Sequence, residues 1–287
     1  MPDSVTRRQF LRTLISPSDT QNILTPTDQF FQQQWRHQPA ARNPDYWGLL
    51  VDGLTNTPLA LSFNDLQQFS QTGVTCTLAC AGDLVGTAHW QGVLFQALLA
   101  EVQPQPLAQH AGFYTADGYS TSLRLSQLEN ALLAYTMNGK PLPHEHGGPV
   151  RLIVPGRQGY KMPKWLQRIE LRDSPLAGPW EQRGWSLDGE APTLARFVTP
   201  QHRTRVQGPV QLAGFAFAGQ RQPTSVAISV NGGPWMPVNF HTPGPFVWSQ
   251  WSINWTAPHP GEHRLTVRAI DDLQTSGQSH TITVYVE

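Results

Sequence analysis

The sequence predicts a two-part, strand-dominated protein: a mixed unit of strands with short helices, then an all-β sandwich. Three observations predict it. Only 14% of the 287 residues are charged while Pro (25), Gly (24) and Trp (10) are abundant, a turn-rich profile that suits sheets better than a helical bundle. Apolar residues alternate in short runs along most of the chain. A connector, Ser174-Pro175-Leu176-Ala177-Gly178-Pro179, separates two textures, and each side is long enough to bury its own core.

Residues 1–29 are polar and punctuated by Thr and Pro, and read as an irregular lead-in. Within them Thr6-Arg7-Arg8-Gln9-Phe10-Leu11-Arg12 resembles a twin-arginine export motif. The apolar segment that such a signal needs is cut short, because Thr13-Leu14-Ile15-Ser16 runs straight into Pro17-Ser18-Asp19-Thr20. The motif reads as vestigial, so a cytoplasmic location is expected, or a periplasmic one if the motif still works. Twenty basic and twenty acidic residues cancel, which leaves no global field to recruit nucleic acid or an anionic membrane. No apolar run approaches the roughly 18 residues needed to cross a bilayer.

Tyr46–Val51 and Leu59–Phe63 read as short strands, and Asn64–Phe69 as a helical turn. Thr72–Cys80 is a strand carrying both cysteines on one face, since side chains alternate with period two. Four strand steps place the sulfurs about 13 Å apart, which excludes a disulfide. Cys80 falls where the strand runs out into Ala81-Gly82-Asp83, a place from which a side chain can face a cleft. Leu94, Ala97, Leu98 and Glu101 mark a helix over Val93–Val102. Ala111–Thr115 and Ser120–Leu123 flank Asp117-Gly118, a hairpin signal. Leu132–Met137 and Val150–Val154 complete the strands of the first part.

Beyond about residue 196, the runs Val210–Phe217, Val226–Val230, Phe246–Trp255, Leu265–Ile270 and Thr281–Val286 are separated by Gly, Pro and Asn turns. Strands at that spacing with no intervening helix describe a sandwich of immunoglobulin-like kind. Trp248, Trp251 and Trp255 read as unusual exposed rings, explained either by sandwich core plus a packed interface or by carbohydrate stacking.

Several clusters could carry chemistry. His144-Glu145-His146 lacks the spacing that sets two imidazoles on one helical face. Pro155-Gly156-Arg157-Gln158-Gly159 offers backbone N–H groups that could cradle a phosphate. Arg151, Arg157, Lys161, Lys164 and Arg168 form a basic cluster suited to an anion, or simply a solvated basic face. No G-x-S-x-G elbow supports serine hydrolase chemistry.

Taken in order, these segments resemble a known family. Thr77-Leu78-Ala79-Cys80-Ala81-Gly82-Asp83 resembles the T-L-x-C-A-G-N segment of the sulfite oxidase family of molybdopterin enzymes. Gly86 to Val93 resembles its G-x-A-x-W-x-G-V stretch, and Ala116-Asp117-Gly118-Tyr119 its A-D-G-Y hairpin. Leu133 to Pro143 resembles L-A-Y-x-M-N-G-x-P-L-P. His146 to Arg151, Val154 to Gly159 and Lys164-Trp165-Leu166 continue the likeness. Arg196 to Pro200 and Leu212 to Ala216 resemble the family's immunoglobulin-like dimerisation domain.

The resemblance implies an α+β molybdopterin-binding domain over residues 30–178, a linker over 179–195 and an immunoglobulin-like dimerisation domain over 196–287. It implies a molybdenum–molybdopterin cofactor with Cys80 as the protein's thiolate on the metal; Cys76 stays core. Asp117, His146, Arg151 and Lys164 match positions that contact the pterin and its phosphate. Soft thiolate suits a soft metal site, and a dianionic phosphate wants Arg and Lys donors.

The chain departs from the family on the substrate side. Asp83-Leu84-Val85 stands where an arginine commonly follows C-A-G-N. Phe30 to His37 offers only Arg36-His37, in a shifted register, for the family's R-N-H run. Trp185 takes the place of a tyrosine beside the metal, and an indole supplies no phenolic oxygen. The catalytic residue is therefore unassigned and sulfite is a doubtful substrate. No C-x-x-C-H haem motif is present, so electrons are expected to pass to a separate acceptor, a cytochrome among the candidates. The leading expectation is a two-electron, oxygen-atom-type oxidoreductase acting on a small molecule and working as a homodimer. The alternative is a catalytically degenerate homologue kept as a cofactor-binding dimeric scaffold.

Overall fold

The computed structural model describes residues 23–80 and 84–287. The arginine-rich motif at Thr6–Arg12 and the Ala81-Gly82-Asp83 exit from the cysteine strand lie outside the described residues. Two compact units divide the chain, one spanning Leu24–Glu190 and the other built from Ala191–Glu287. No helix among the described residues is long and apolar enough to cross a membrane.

The first unit lays down β1 (Gly48–Gly53), β2 (Leu59–Ser62), α1 (Phe63–Gln67), β3 (Gln71–Cys80), β4 (Leu84–Leu94) and α2 (Phe95–Val102). It continues with β5 (His110–Thr115), β6 (Ser120–Arg124), β7 (Leu132–Met137), β8 (Lys140–Pro141), β9 (Arg151–Ile153) and β10 (Leu166–Arg172). One sheet runs β2-β1-β10-β5-β6; the other runs β3-β4-β7-β8, with β9 on β7. The first sheet is mixed, because β1 pairs parallel with β10 while the remaining pairs are antiparallel.

Local chemistry explains the elements. Ser62 and Asp65 form a reciprocal capping box that starts α1 directly behind β2, satisfying two orphan donors. Asn43 caps a 3-10 turn at Pro44–Tyr46, so β1 begins at Gly48, two residues later than the sequence predicts. β3 and β4 pair without interruption from Gln71↔Val93 to Cys80↔Leu84. At Gly92 a Cβ would lie 2.0 Å from the Leu133 carbonyl oxygen, so only glycine lets β4 approach β7 there. Trp90, Phe95, Leu98 and Phe113 are among the fully buried side chains.

Residues 179–190, expected as linker, pack within the first unit. Glu181 is buried against Lys161, and Trp180 and Trp185 pack edge-on to Trp35 and Tyr160, so contacts rather than connector composition define this stretch.

The second unit contains β11 (Leu194–Thr199), β12 (Thr204–Val206), β13 (Val210–Phe217), β14 (Pro223–Val230) and β15 (Met236–Pro237). β16 (Phe240–His241), β17 (Ser249–Trp255), β18 (Gly261–Asp271) and β19 (His280–Val286) follow. Its sheets, β11-β13-β17-β16 and β12-β19-β18-β14-β15, share a core that includes Leu212, Trp251, Val226, Val267 and Ile282. Trp248, Trp251 and Trp255 are only 1%, 1% and 8% exposed, which overturns their expected exposure, while Trp251 and Trp255 take the core place that the sandwich-core reading gave them. Trp251 and Trp255 share one face of β17 and turn it into the core. A carbohydrate platform on these rings is excluded by their burial.

Candidate functional site

Period-two alternation puts both cysteines on one face of β3, and their positions along it, Cys76 inside the strand and Cys80 at its end, set them apart in depth. Cys76 is sealed in the core, where burial pushes its thiol pKa up to about 12, the behaviour of a small hydrophobe. Cys80, at the end of β3, is half-buried and lines a cavity of roughly 190 Å³. Ala79 bridges Gln158, which lays the 155–159 turn beside the thiol. A Cβ on Gly159 would rest 3.7 Å from the Cys80 Sγ. No disulfide joins the two cysteines.

Four other expected residues reach the same cavity. Asp117 sits in the β5–β6 hairpin, where its carboxylate accepts from the Thr115 hydroxyl (2.5 Å) and the Tyr119 backbone N–H (3.1 Å). His146 ends the short 3-10 turn that starts at His144 and is 1% exposed. Burial holds its pKa below the ordinary imidazole value, so the neutral ring donates from Nε2 to the Thr27 carbonyl at 2.9 Å.

Arg151, on β9, donates to the carbonyls of His146 (2.8 Å) and Met162 (3.0 Å), and its guanidinium lies 5.1 Å from the Trp90 ring centroid. Its Nε is buried without a hydrogen-bond partner, and burial lowers its pKa to about 10. Lys164 donates to the Glu145 carbonyl at 2.8 Å and lies 4.7 Å over Trp165. Burial, helped by the Arg151 charge, brings its pKa down to about 7. Gly147, at φ +108°, makes room for the lysine stem, since a Cβ there would meet the Lys164 Cβ at 2.8 Å.

The rest of the expected basic cluster goes elsewhere. Arg157 donates to the Asp188 carbonyl, Lys161 is buried against Glu181, and Arg168 pairs with Asp52 and Glu170 on the first sheet. His144 faces the Pro39 carbonyl. Arg36 and His37 are exposed and do not line the cavity.

An aromatic side of the cavity was not foreseen. Trp35, Tyr119, Tyr160 and Trp180 join Trp185 there, drawn from segments far apart in sequence. Tyr119 was legible only as the last residue of the A-D-G-Y hairpin.

The donor set tests which group this cavity fits. Two cations, Arg151 and Lys164, reach it with no carboxylate bound to either, and a buried guanidinium N–H is left unpaired. Such a site favours an anion. Among the described residues no three His, Cys, Asp or Glu side chains converge to hold a metal, and an organic group that brings its own metal ligands suits a site with the single thiol of Cys80. A phosphate-bearing, metal-chelating cofactor meets both requirements.

Comparison with known proteins agrees with this chemistry. The family model described as "Oxidoreductase molybdopterin binding domain" matches residues 37–180. The chain is 28% identical to the mitochondrial sulfite oxidase of Rattus norvegicus and 29% to that of Homo sapiens, in each case over 88% of this chain and 57% of the relative. It is 30% identical to a nitrate reductase [NADPH] of Aspergillus niger, over 54% of this chain and 22% of that protein. The chain thus spans little more than half the length of these sulfite oxidases. Its fold is that of the sulfane dehydrogenase SoxCD from Paracoccus pantotrophus, with a TM-score of 0.77 at 22% identity over 90% of this chain and 75% of that one.

Proposed function

The chain belongs to the oxidoreductase molybdopterin-binding family, and from that premise we propose that it is a molybdenum-dependent oxidoreductase of the sulfite oxidase type, with Cys80 as the protein's metal ligand. One observation carries the reading: Cys80, Asp117, His146, Arg151 and Lys164, spread over 85 positions of sequence, all line a single cavity.

In this reading Cys80 presents a thiolate from the end of β3, with the 155–159 turn beside it. Arg151 and Lys164 supply the positive charge for the cofactor's phosphate, and the unpaired Arg151 Nε is available to it. His146, kept neutral by burial and fixed by Thr27, offers an uncharged Nδ1 acceptor, while Asp117 accepts from a pterin N–H. The cofactor supplies a two-electron metal centre able to exchange an oxygen atom. The protein's part is to hold it, orient it and shape what reaches it.

Further parts of the proposal rest on the sequence. The second unit, a two-sheet sandwich, is taken as the immunoglobulin-like domain through which two copies pair. Electrons leave to a separate acceptor rather than to a haem on this chain, and the protein works in the cytoplasm.

Elemental analysis and pterin fluorescence test the assignment on protein from a molybdenum-replete host. About one molybdenum per chain is expected for the wild type, with Cys80→Ser altering the metal's absorption spectrum. Wild-type protein without molybdenum and pterin, or an unchanged spectrum in the variant, would overturn it. Trp185 in the tyrosine position favours a second reading, a cofactor-binding scaffold without turnover; dye-linked activity in the loaded protein decides against that.

A further inference from the structure

The cavity has two chemically unlike sides. On one, Phe30 packs edge-on to His146 (5.6 Å) and to Trp90, the ring under Arg151, and Lys164 contributes the second cation. The other is a wall of rings. Trp180 and Trp185 lie 4.9 Å apart, Tyr160 meets Trp185 at 5.0 Å, and Trp35 meets Trp180 at 5.4 Å.

The wall's tyrosine hydroxyls are committed to the backbone. Tyr119 donates to the Tyr160 carbonyl at 2.7 Å, and Tyr160 donates to the Ser186 carbonyl at 2.7 Å. Arg183 is not among the cavity's lining residues; its guanidinium lies over Trp35 (4.5 Å) and Trp180 (5.4 Å). Among the described residues Arg151 and Lys164 are the cavity's only Arg or Lys side chains, and the proposed function assigns both to the cofactor. Ala81, Gly82 and Asp83, which follow Cys80, add no cation by composition.

An inorganic oxyanion needs charge-assisted donors to replace its hydration. An aromatic wall instead rewards apolar groups and repels anions from its electron-rich faces. Gln33 and Gln34, which also line the cavity, can donate to a single neutral oxygen. We propose that the substrate is an uncharged organic compound of sulfur or nitrogen, with an aryl or alkyl group on the reacting atom that packs against Trp35, Trp180 and Trp185. The proposal rests on the molybdenum-dependent reading for its reaction class, while the recognition surface is the chain's own.

Isothermal titration calorimetry on the full chain, with molybdenum and pterin content measured on the same preparation, tests it. Methyl phenyl sulfoxide is the uncharged probe and sulfite the oxyanion, compared at equal ionic strength. The sulfoxide is expected to bind at least about tenfold more tightly than sulfite. Trp35→Ala and Trp180→Ala are each expected to weaken the sulfoxide by about fivefold without weakening sulfite, and Trp35→Phe and Trp180→Phe to retain most of the affinity. Equal or tighter sulfite binding by the cofactor-loaded protein, no detectable sulfoxide binding, or alanine variants with unchanged sulfoxide affinity would overturn the proposal. A preparation lacking molybdenum and pterin counts against the metal assignment alone; Arg151 and Lys164 are then open to sulfite, and the wall is read from the sulfoxide affinity of the tryptophan variants.

Discussion

Lys161 and Glu181 form an ion pair whose side chains are 0% and 1% exposed, and it lies behind the aromatic wall rather than in the cavity. Lys161 follows Tyr160 and Glu181 follows Trp180, so the pair ties together two segments that each give the wall a ring. The ammonium also donates to the Thr121 hydroxyl (3.0 Å) and the Ser122 carbonyl (2.9 Å), anchoring both segments to β6. Burial pulls the lysine pKa below its ordinary value, and the hydrogen bond to Glu181 opposes that pull.

Removing one partner strands the other as an uncompensated buried charge, which costs about 3–5 kcal/mol. Lys161→Met is therefore expected to lower the denaturation midpoint severely, and Lys161→Met with Glu181→Leu to recover most of the loss. Urea titration of both variants checks this; a single variant as stable as the wild type would refute it.

The two cysteines are expected to differ sharply in reactivity. Cys76 is 0% exposed with its thiol pKa at about 12, whereas Cys80 is half-buried at a cavity. In cofactor-free native protein at pH 8, iodoacetamide should modify about one thiol per chain, and Cys80→Ser should abolish that modification. Mass spectrometry of the peptides reads the outcome, and native labelling of Cys76 would contradict the assigned depth.

The separation of Cys76 from Cys80 was legible because the rise per strand residue and the strand's end at Cys80 are local properties of the chain, and the Asp117-Gly118 turn was legible for the same local reason. The aromatic wall was not, since Trp35, Tyr119, Tyr160, Trp180 and Trp185 meet only after folding. β10 was missed because a bulge between Leu166 and Arg168 breaks the alternation that marks a strand. That miss also misled the charge reading. Arg168 lies on β10 beside Asp52 and Glu170, although its sequence position suggested a shared anion site with Lys164. Neighbourhood in sequence ranks charges poorly when a strand intervenes.

The tryptophans of β17 give a stability prediction in place of the carbohydrate reading. Trp251 packs edge-on to Phe197 at 5.2 Å and leaves no room for a Cβ on Gly214, which would come within 2.6 Å of its ring. Trp251→Ala is expected to cost about 3–5 kcal/mol through lost burial and the cavity left behind. Differential scanning calorimetry of the full chain would show the loss; an unchanged transition would mean that the ring is not packed in that core.

Lys164 makes the cofactor-free site sensitive to pH. Its folded-state pKa of about 7 lies well below the unfolded value of 10.5, chiefly through burial, with the Arg151 charge next. Between those two values the unfolded chain holds a proton that the folded chain has released, so this residue makes stability rise with pH across that window. The slope is at most about 1.4 kcal/mol per pH unit. An anion in the cavity favours the charged amine, so sulfate, whose own charge is constant in this range, should bind more tightly below pH 7 than at pH 9. Lys164→Gln is expected to remove both effects. Denaturant midpoints and sulfate titrations of wild type and variant at pH 6, 7 and 9 would test this, and parallel pH profiles for the two proteins would show that Lys164 does not titrate in the cavity.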